Sequence, residues 1–199
     1  MNPAPCPPLT SLQLPLDETT VRGPRVGQFV ELTGTIWTAR DAVHHYLSDP
    51  QNRVPFPARN AVFYHCGPVV VPDGDGWRVT AAGPTTSIRE EPYMAGLIER
   101  FQLRGIIGKG GMGPDTLEAC RRSGCLYLHA VGGAAQVLAD RIRCVSGVYL
   151  EHFGPPEAVW QLEVERFPVL VTMDAHGQSL HEDVIQESAT RLAELLAEA

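Results

Sequence analysis

An α/β domain with a mixed central sheet flanked by helices is the fold this sequence predicts, on three observations. Strand-like and helix-like segments alternate in the second half of the chain, while the first half is mostly strand. The 199 residues are 44% hydrophobic and 20% charged, which suits one sizeable domain with its own core. The loops GPTTSIR and GKGGMG each follow a strand-like segment and precede a helical one, the place where α/β sheets gather ligand-binding loops.

Residues 1 to 24 begin MNPAPCPPLTSLQLPL, whose prolines predict an extended arm; the domain is expected over 25 to 199. VGQFVELTGTIWT, residues 26 to 38, alternates as one long strand or a strand pair. ARDAVHHYL has no breaker and predicts a helix from about Ala39 to Leu47, with SDPQNRVPFPARN as loop. AVFYHCGPVVV, aromatic and β-branched, reads as a strand, and PDGDG turns the chain into WRVTAAG as a hairpin. Ser87 and Glu90 make an S-x-x-E capping box and Pro92 suits a first helical position. A short turn and then a helix from about Pro92 to Leu103 are therefore expected. RGIIG is the next strand, and Pro114 and Asp115 open a helix that Gly124 ends. CLYLHAV (strand), GGAAQVLADRI (helix) and CVSGVYLEHF (strand) follow. WQLEVERFPVLVTMD supplies one or two strands, broken near Pro168. The last segment is an amphipathic helix with apolar positions at Val184, Ile185, Leu192, Leu195 and Leu196.

The net charge of −7 argues against a nucleic-acid surface, which needs a basic face, but not against a small anion held by a few local cations. No apolar run of about 18 residues predicts a membrane span, and the N-terminus lacks the pattern of a signal peptide, so the expected location is cytoplasmic. Five scattered cysteines with no CxxC predict neither a disulfide framework nor a metal or iron–sulfur site within this chain. They read as small buried hydrophobes, with Cys6 as a thiol on the arm.

Gly108, Gly110 and Gly113 spell G-x-G-x-x-G between a strand and a helix. A dinucleotide site also needs an acidic residue about 20 positions on, and the next strand runs instead into Gly132 and Gly133. A P-loop needs Ser or Thr after the lysine, where this chain has Gly110. What survives is an anion site: backbone that can approach a ligand, a helix N-terminus, and the charge of Lys109. GPTTSIR adds Thr85, Thr86 and Ser87 as hydroxyls and Arg89 as a cation able to grip a carboxylate with two bonds. TARD places Arg40 and Asp41 at a third strand-to-helix junction, with His44 and His45 read as surface histidines. Loops at strand ends can converge on one crevice, so Arg40, Arg89 and Lys109 with the threonines would fit a small dicarboxylate.

GTIWTARDAVHH, AAGPTTSIREEPY, GIIGKGGMG, HAVGGAA and WQLEVERFPVLVTMDAHG, in this order, resemble the β subunit of the class I iron–sulfur fumarate hydratase and L-tartrate dehydratase family. The resemblance covers roughly residues 25 to 177. It implies a swivelling β/β/α domain and a separate α subunit that carries the 4Fe–4S cluster, in an assembly of α2β2 type. It also implies that Arg40, Thr85, Arg89 and Lys109 contact the substrate, with Thr86 in the same shell and Gly110 beside the lysine. Thr85 would take part in the proton transfer of a reversible hydration of a four-carbon dicarboxylate, with fumarate and L-malate preferred and L-tartrate possible. A threonine hydroxyl is a poor base alone and would need nearby cations or a carboxylate partner, which the family places in the α subunit. Two other readings stay open: a stand-alone dicarboxylate-binding module, and a nucleotide-binding enzyme using GKGGMG.

Overall fold

A computed structural model describes residues 9 to 197; the first eight residues, Cys6 among them, and the last two lie outside the described residues. The expected α/β class with a mixed sheet is what is observed, and the sheet closes on itself. Strand β2 (Phe29–Thr38) is the pivot. Its C-terminal half pairs in parallel with β3 (Val62–Tyr64), which pairs in parallel with β6 (Gly105–Gly108), and β6 with β7 (Leu126–His129). Strand β7 then pairs antiparallel with β9 (Val159–Met173), and β9 returns antiparallel to β2, completing a five-stranded ring. β1 (Thr10–Gln13) runs parallel to the start of β2, and β8 (Ile142–Tyr149) pairs with the start of β9. The hairpin of β4 (Val69–Asp73) and β5 (Gly76–Ala81) forms a second, two-stranded sheet.

The period-2 alternation of the ring strands sorts their side chains into two cores. Leu32, Ile36, Val62, Tyr64, Ile107, Leu128, Leu162 and Val171 share the core enclosed by the ring. Their neighbours Phe63, Ile106 and Tyr127 face outward into a second core, against Val43 and Leu47 of α2 (Asp41–Ser48), Met94 and Leu97 of α3 (Glu91–Phe101), and Ala119 and Cys120 of α4 (Pro114–Ser123). Burying one such aromatic or aliphatic side chain contributes about 1.5–3 kcal/mol, so both faces of these short strands stabilise the fold.

Several elements differ from expectation. AVFYHCGPVVV is two strands in different sheets, since Pro68 cannot donate to a ladder and the chain leaves the ring after Tyr64. WQLEVERFPVLVTMD is one strand of 15 residues, unbroken at Pro168. Its irregularity lies at Arg166, whose φ of 52° accompanies a register shift between Leu32 and Gly34 of β2. Ser87 and Glu90 do not form a capping box: they belong to a 3-10 turn, and both are buried with their side chains turned inward. Residues 10 to 21, expected as part of an arm, form β1 and the short helix α1 (Glu18–Val21), with Leu12, Leu16 and Val21 buried. GGAAQVLADRI contributes only α5 (Ala135–Ala139). The last helix is present as expected, as α6 (Leu180–Ala197), with its five apolar positions Val184, Ile185, Leu192, Leu195 and Leu196 exposed, from 47% at Leu195 to 70% at Ile185 and Leu196.

Candidate active site

Four neighbouring parallel strands, β2, β3, β6 and β7, end side by side. The residues that leave these ends are Arg40 after β2, His65 to Gly67 after β3, Lys109 and Gly110 after β6, and Ala130 after β7. The segment from Thr85 to Ser87 threads between β3 and β6. Thr85 N–H donates to the His65 carbonyl at 2.7 Å, Lys109 N–H to the Thr85 carbonyl at 3.3 Å, and Ser87 N–H to the Lys109 carbonyl at 3.0 Å. Thr86 and Lys109 thereby form an isolated parallel bridge. All six residues singled out in the sequence, Arg40, Thr85, Thr86, Arg89, Lys109 and Gly110, therefore lie on loops at one end of the ring.

Each cation is held differently. The Arg40 side chain is 22% exposed, with Nε 3.3 Å from Oε1 of Glu157, and Nη1 donates to the Pro156 carbonyl at 3.4 Å. Its guanidinium lies against Gly67, where a Cβ would stand 2.7 Å from Nη1. Arg89 is 50% exposed and meets Oδ1 of Asp41 at 3.4 Å. Lys109 makes no ion pair among the described residues, and its chain passes Gly132, where a Cβ would lie 3.5 Å from Cδ. Gly110 and Gly111 take φ of 82° and 79°, the left-handed region that favours glycine, and so turn the chain away after the lysine. The Thr85 hydroxyl donates to the His65 carbonyl at 3.0 Å, which leaves its lone pairs as acceptors.

The helix N-termini expected to bind an anion are already occupied from within. The Glu91 carboxylate accepts from Gly113 N–H at 2.7 Å, Thr116 N–H at 3.1 Å and the Thr116 hydroxyl at 2.6 Å, which fills the start of α4. Glu157 accepts from Ala42 N–H at 3.0 Å in the first turn of α2. The positive charge these loops present comes from side chains rather than from these helix ends.

Beneath the loops lies a buried polar chain that sequence reasoning missed. Tyr127 donates to the Ser87 hydroxyl at 2.8 Å, and Ser87 Oγ lies 2.9 Å from His65 Nδ1. The His65 and His44 rings meet edge to face at 4.9 Å, and His44 Nδ1 donates to the Arg40 carbonyl at 2.8 Å. His44 is fully buried rather than a surface histidine, because α2 packs that face on Phe63. Burial lowers His44 to about 4 and holds His65 well below the usual histidine range, so both are neutral. Glu90, 1% exposed, is pushed up to about 8 by burial and by the neighbouring Asp41 carboxyl. The glycine pattern was a usable signal for this packing. A Cβ at Gly108 would run into the Ser87 hydroxyl, and one at Gly113 would lie 2.6 Å from the Glu91 carboxylate.

Metal ligation is not supported by these residues. Among the described residues no group of three His, Cys, Asp or Glu could hold a metal ion. Burial pushes the Cys66 thiol up to about 12, and Cys120 is raised well above its usual value by its contact with Cys125 and by burial, the wrong direction for thiolate ligands. No described helix is long and apolar enough to cross a membrane.

The family model described as Fumarase C-terminus matches residues 10 to 184. A Geobacillus stearothermophilus protein with the provisional name fumarate hydratase class I is 49% identical over 185 residues, 92% of this chain and 36% of that protein. The chain thus spans about a third of that relative. A Methanocaldococcus jannaschii protein with the provisional name L(+)-tartrate dehydratase subunit beta is 38% identical, over 91% of this chain and 95% of the relative. The L(+)-tartrate dehydratase subunit beta of Escherichia coli K12 is 34% identical, over 85% of each.

Proposed function

The chain belongs to the fumarase C-terminus family, and from that premise we propose that it is the β subunit of a cytosolic iron–sulfur hydro-lyase acting on a four-carbon dicarboxylate. A partner α subunit would carry the 4Fe–4S cluster, in an assembly of α2β2 type. The observation that supports this reading most is the meeting of Arg40, Arg89, Lys109 and Thr85 on loops at one end of the ring. Two guanidiniums oriented by Glu157 and Asp41, with an ammonium that has no ion-pair partner among the described residues, suit a molecule bearing two carboxylates.

Removing water from a 2-hydroxy dicarboxylate requires loss of a proton from the carbon beside a carboxylate. That proton becomes removable only when the charge accumulating on the carboxylate is stabilised, which is the role assigned to Arg40, Arg89 and Lys109. Thr86 and Gly110 line the same loops and close around the bound diacid. The Thr85 oxygen can accept a hydrogen bond, since its own proton is directed to the His65 carbonyl; to take a proton from substrate it would have to pass that proton to a stronger base. Its basicity would need a carboxylate from the partner subunit. The partner's cluster, when bound, supplies Lewis acidity toward the hydroxyl; this chain binds and orients the substrate.

Fumarate and L-malate are the preferred substrates, in line with the 49% identity to the relative named for fumarate. L-tartrate is the second reading, favoured by the two relatives named for it. A nucleotide site at GKGGMG is disfavoured, because Glu91 already fills the helix start such a site would use. Anaerobic reconstitution with an iron-loaded α subunit and a panel of dicarboxylates tests the proposal. Reversible hydration of fumarate, or dehydration of L-tartrate, is expected from the complex, and a complex inert toward the whole panel would end it.

A further inference from the structure

Glu90 poses an electrostatic problem that the proposed chemistry leaves unexplained. Its carboxyl is 1% exposed, and neither oxygen has a hydrogen-bond partner among the described residues. His44 Nδ1 lies 3.5 Å away and already gives its proton to the Arg40 carbonyl at 2.8 Å. A buried carboxylate with no donor is strongly disfavoured and takes up a proton instead. The resulting O–H needs an acceptor. The carboxylate that faces it is Asp41, on the first turn of α2, whose Oδ1 lies 3.4 Å from Arg89 Nη2.

We propose that Glu90 and Asp41 share one proton, and that this pair staples the Arg40 loop to the Arg89 turn and so holds the Arg89 guanidinium at the site. Asp41 follows Arg40 in sequence and Glu90 follows Arg89, so a single contact fixes the two loops that carry the two arginines. The charged or titratable groups around Glu90 are Asp41 and His44 of α2, Arg40 just before it, Arg89 on the 3-10 turn, and Glu157 ahead of β9. His44 stays neutral, Arg40 is engaged by Glu157, and Glu157 is a further negative charge. Losing the shared proton would set two carboxylates against each other beside a third, and would loosen Arg89. Glu90 is thus a positioning residue for Arg89. The role in holding substrate rests on the proposed function, whereas the shared proton does not.

The full chain, with glutamate carboxyl carbons and arginine side-chain nitrogens labelled, can be titrated by NMR as wild type, Glu90→Gln and Asp41→Asn. One glutamate is expected to titrate near 8 in the wild type and to be missing in Glu90→Gln. Its midpoint should fall in Asp41→Asn, which removes the neighbouring negative charge and leaves only a weaker, neutral amide oxygen as acceptor. The Arg89 Nε–H signal should move with the same midpoint and stop moving in Glu90→Gln. In the reconstituted complex, KM should rise several-fold between pH 7 and pH 9 with a smaller change in kcat, and the rise should be absent in Glu90→Gln. Every glutamate titrating in the ordinary carboxylate range, or an Arg89 signal indifferent to the transition, would overturn the inference. A chain that titrates as described within a complex that hydrates no dicarboxylate counts against the proposed function and leaves the shared proton standing.

Discussion

The Glu91 carboxylate takes both the backbone N–H and the hydroxyl of Thr116, at 3.1 and 2.6 Å, joining the start of α3 to the start of α4. An internal anion thus occupies the helix end, with Gly113 N–H as its third donor at 2.7 Å. Glu91→Gln keeps the shape and loses the charge on these bonds. It should destabilise the chain by about 1–2 kcal/mol, read as a lower urea midpoint at unchanged slope. A midpoint equal to that of the wild type would show that the cap contributes nothing.

In the proposed function Lys109 and Arg89 would bind the anion with few structural duties, one without an ion pair among the described residues and the other half-exposed. Lys109→Ala or Arg89→Ala in the reconstituted complex should lower kcat/KM by about 100-fold or more, with little change in melting temperature. Near-normal turnover in either variant would remove that residue from the substrate clamp.

Thr85 donates its only hydroxyl proton to the His65 carbonyl at 3.0 Å. Thr85→Val retains the volume and loses the hydroxyl. If the hydroxyl relays a proton, kcat should fall about 100-fold, while Thr85→Ser recovers much of it. Equal activity in Thr85→Val and the wild type would assign the proton transfer wholly to the partner subunit.

Gly108 leaves room for the Ser87 hydroxyl and for Tyr127 Oη, which would lie 3.1 Å from a Cβ at residue 108. Gly108→Ala must displace Ser87 and break its bonds to His65 and Tyr127. The expected loss is about 2–3 kcal/mol of stability, measured by chemical unfolding. Gly133→Ala, where no atom lies within 4 Å of the added carbon, tests backbone strain alone, since its φ is 88°.

The pH dependence of stability has two flanks of opposite sign. His44 falls from 6.5 to about 4 on folding and His65 also falls, so their contribution is full above 6.5 and is lost as the pH drops toward 4. Glu90 rises from 4.5 to about 8, so its contribution is full below 4.5 and is lost as the pH climbs through 8. In thermal melts, His65→Asn should therefore lose less stability than the wild type between pH 7 and pH 5. Glu90→Gln should lose less between pH 5 and pH 8. Parallel curves for variant and wild type on either flank would refute that assignment.

By itself the sequence determined most of the order of strands and helices from β2 onward, and the three loops that carry Arg40, Arg89 and Lys109. Apolar periodicity and loop chemistry are local, set by residues a few positions apart. Tertiary structure decided what depends on distant partners. The ring closes because Ile36 of β2 lies opposite Leu162 of β9, which no local pattern announces. His44 became a buried neutral ring, not a surface one, because α2 lies over Phe63. The G-x-G-x-x-G spacing looked like an anion loop. Two of its glycines are instead the space that Ser87 and Glu91, about twenty positions earlier in the chain, require. Close packing couples residues by volume and hydrogen-bonding need regardless of their separation along the chain, and only the folded arrangement shows which atoms must share that space.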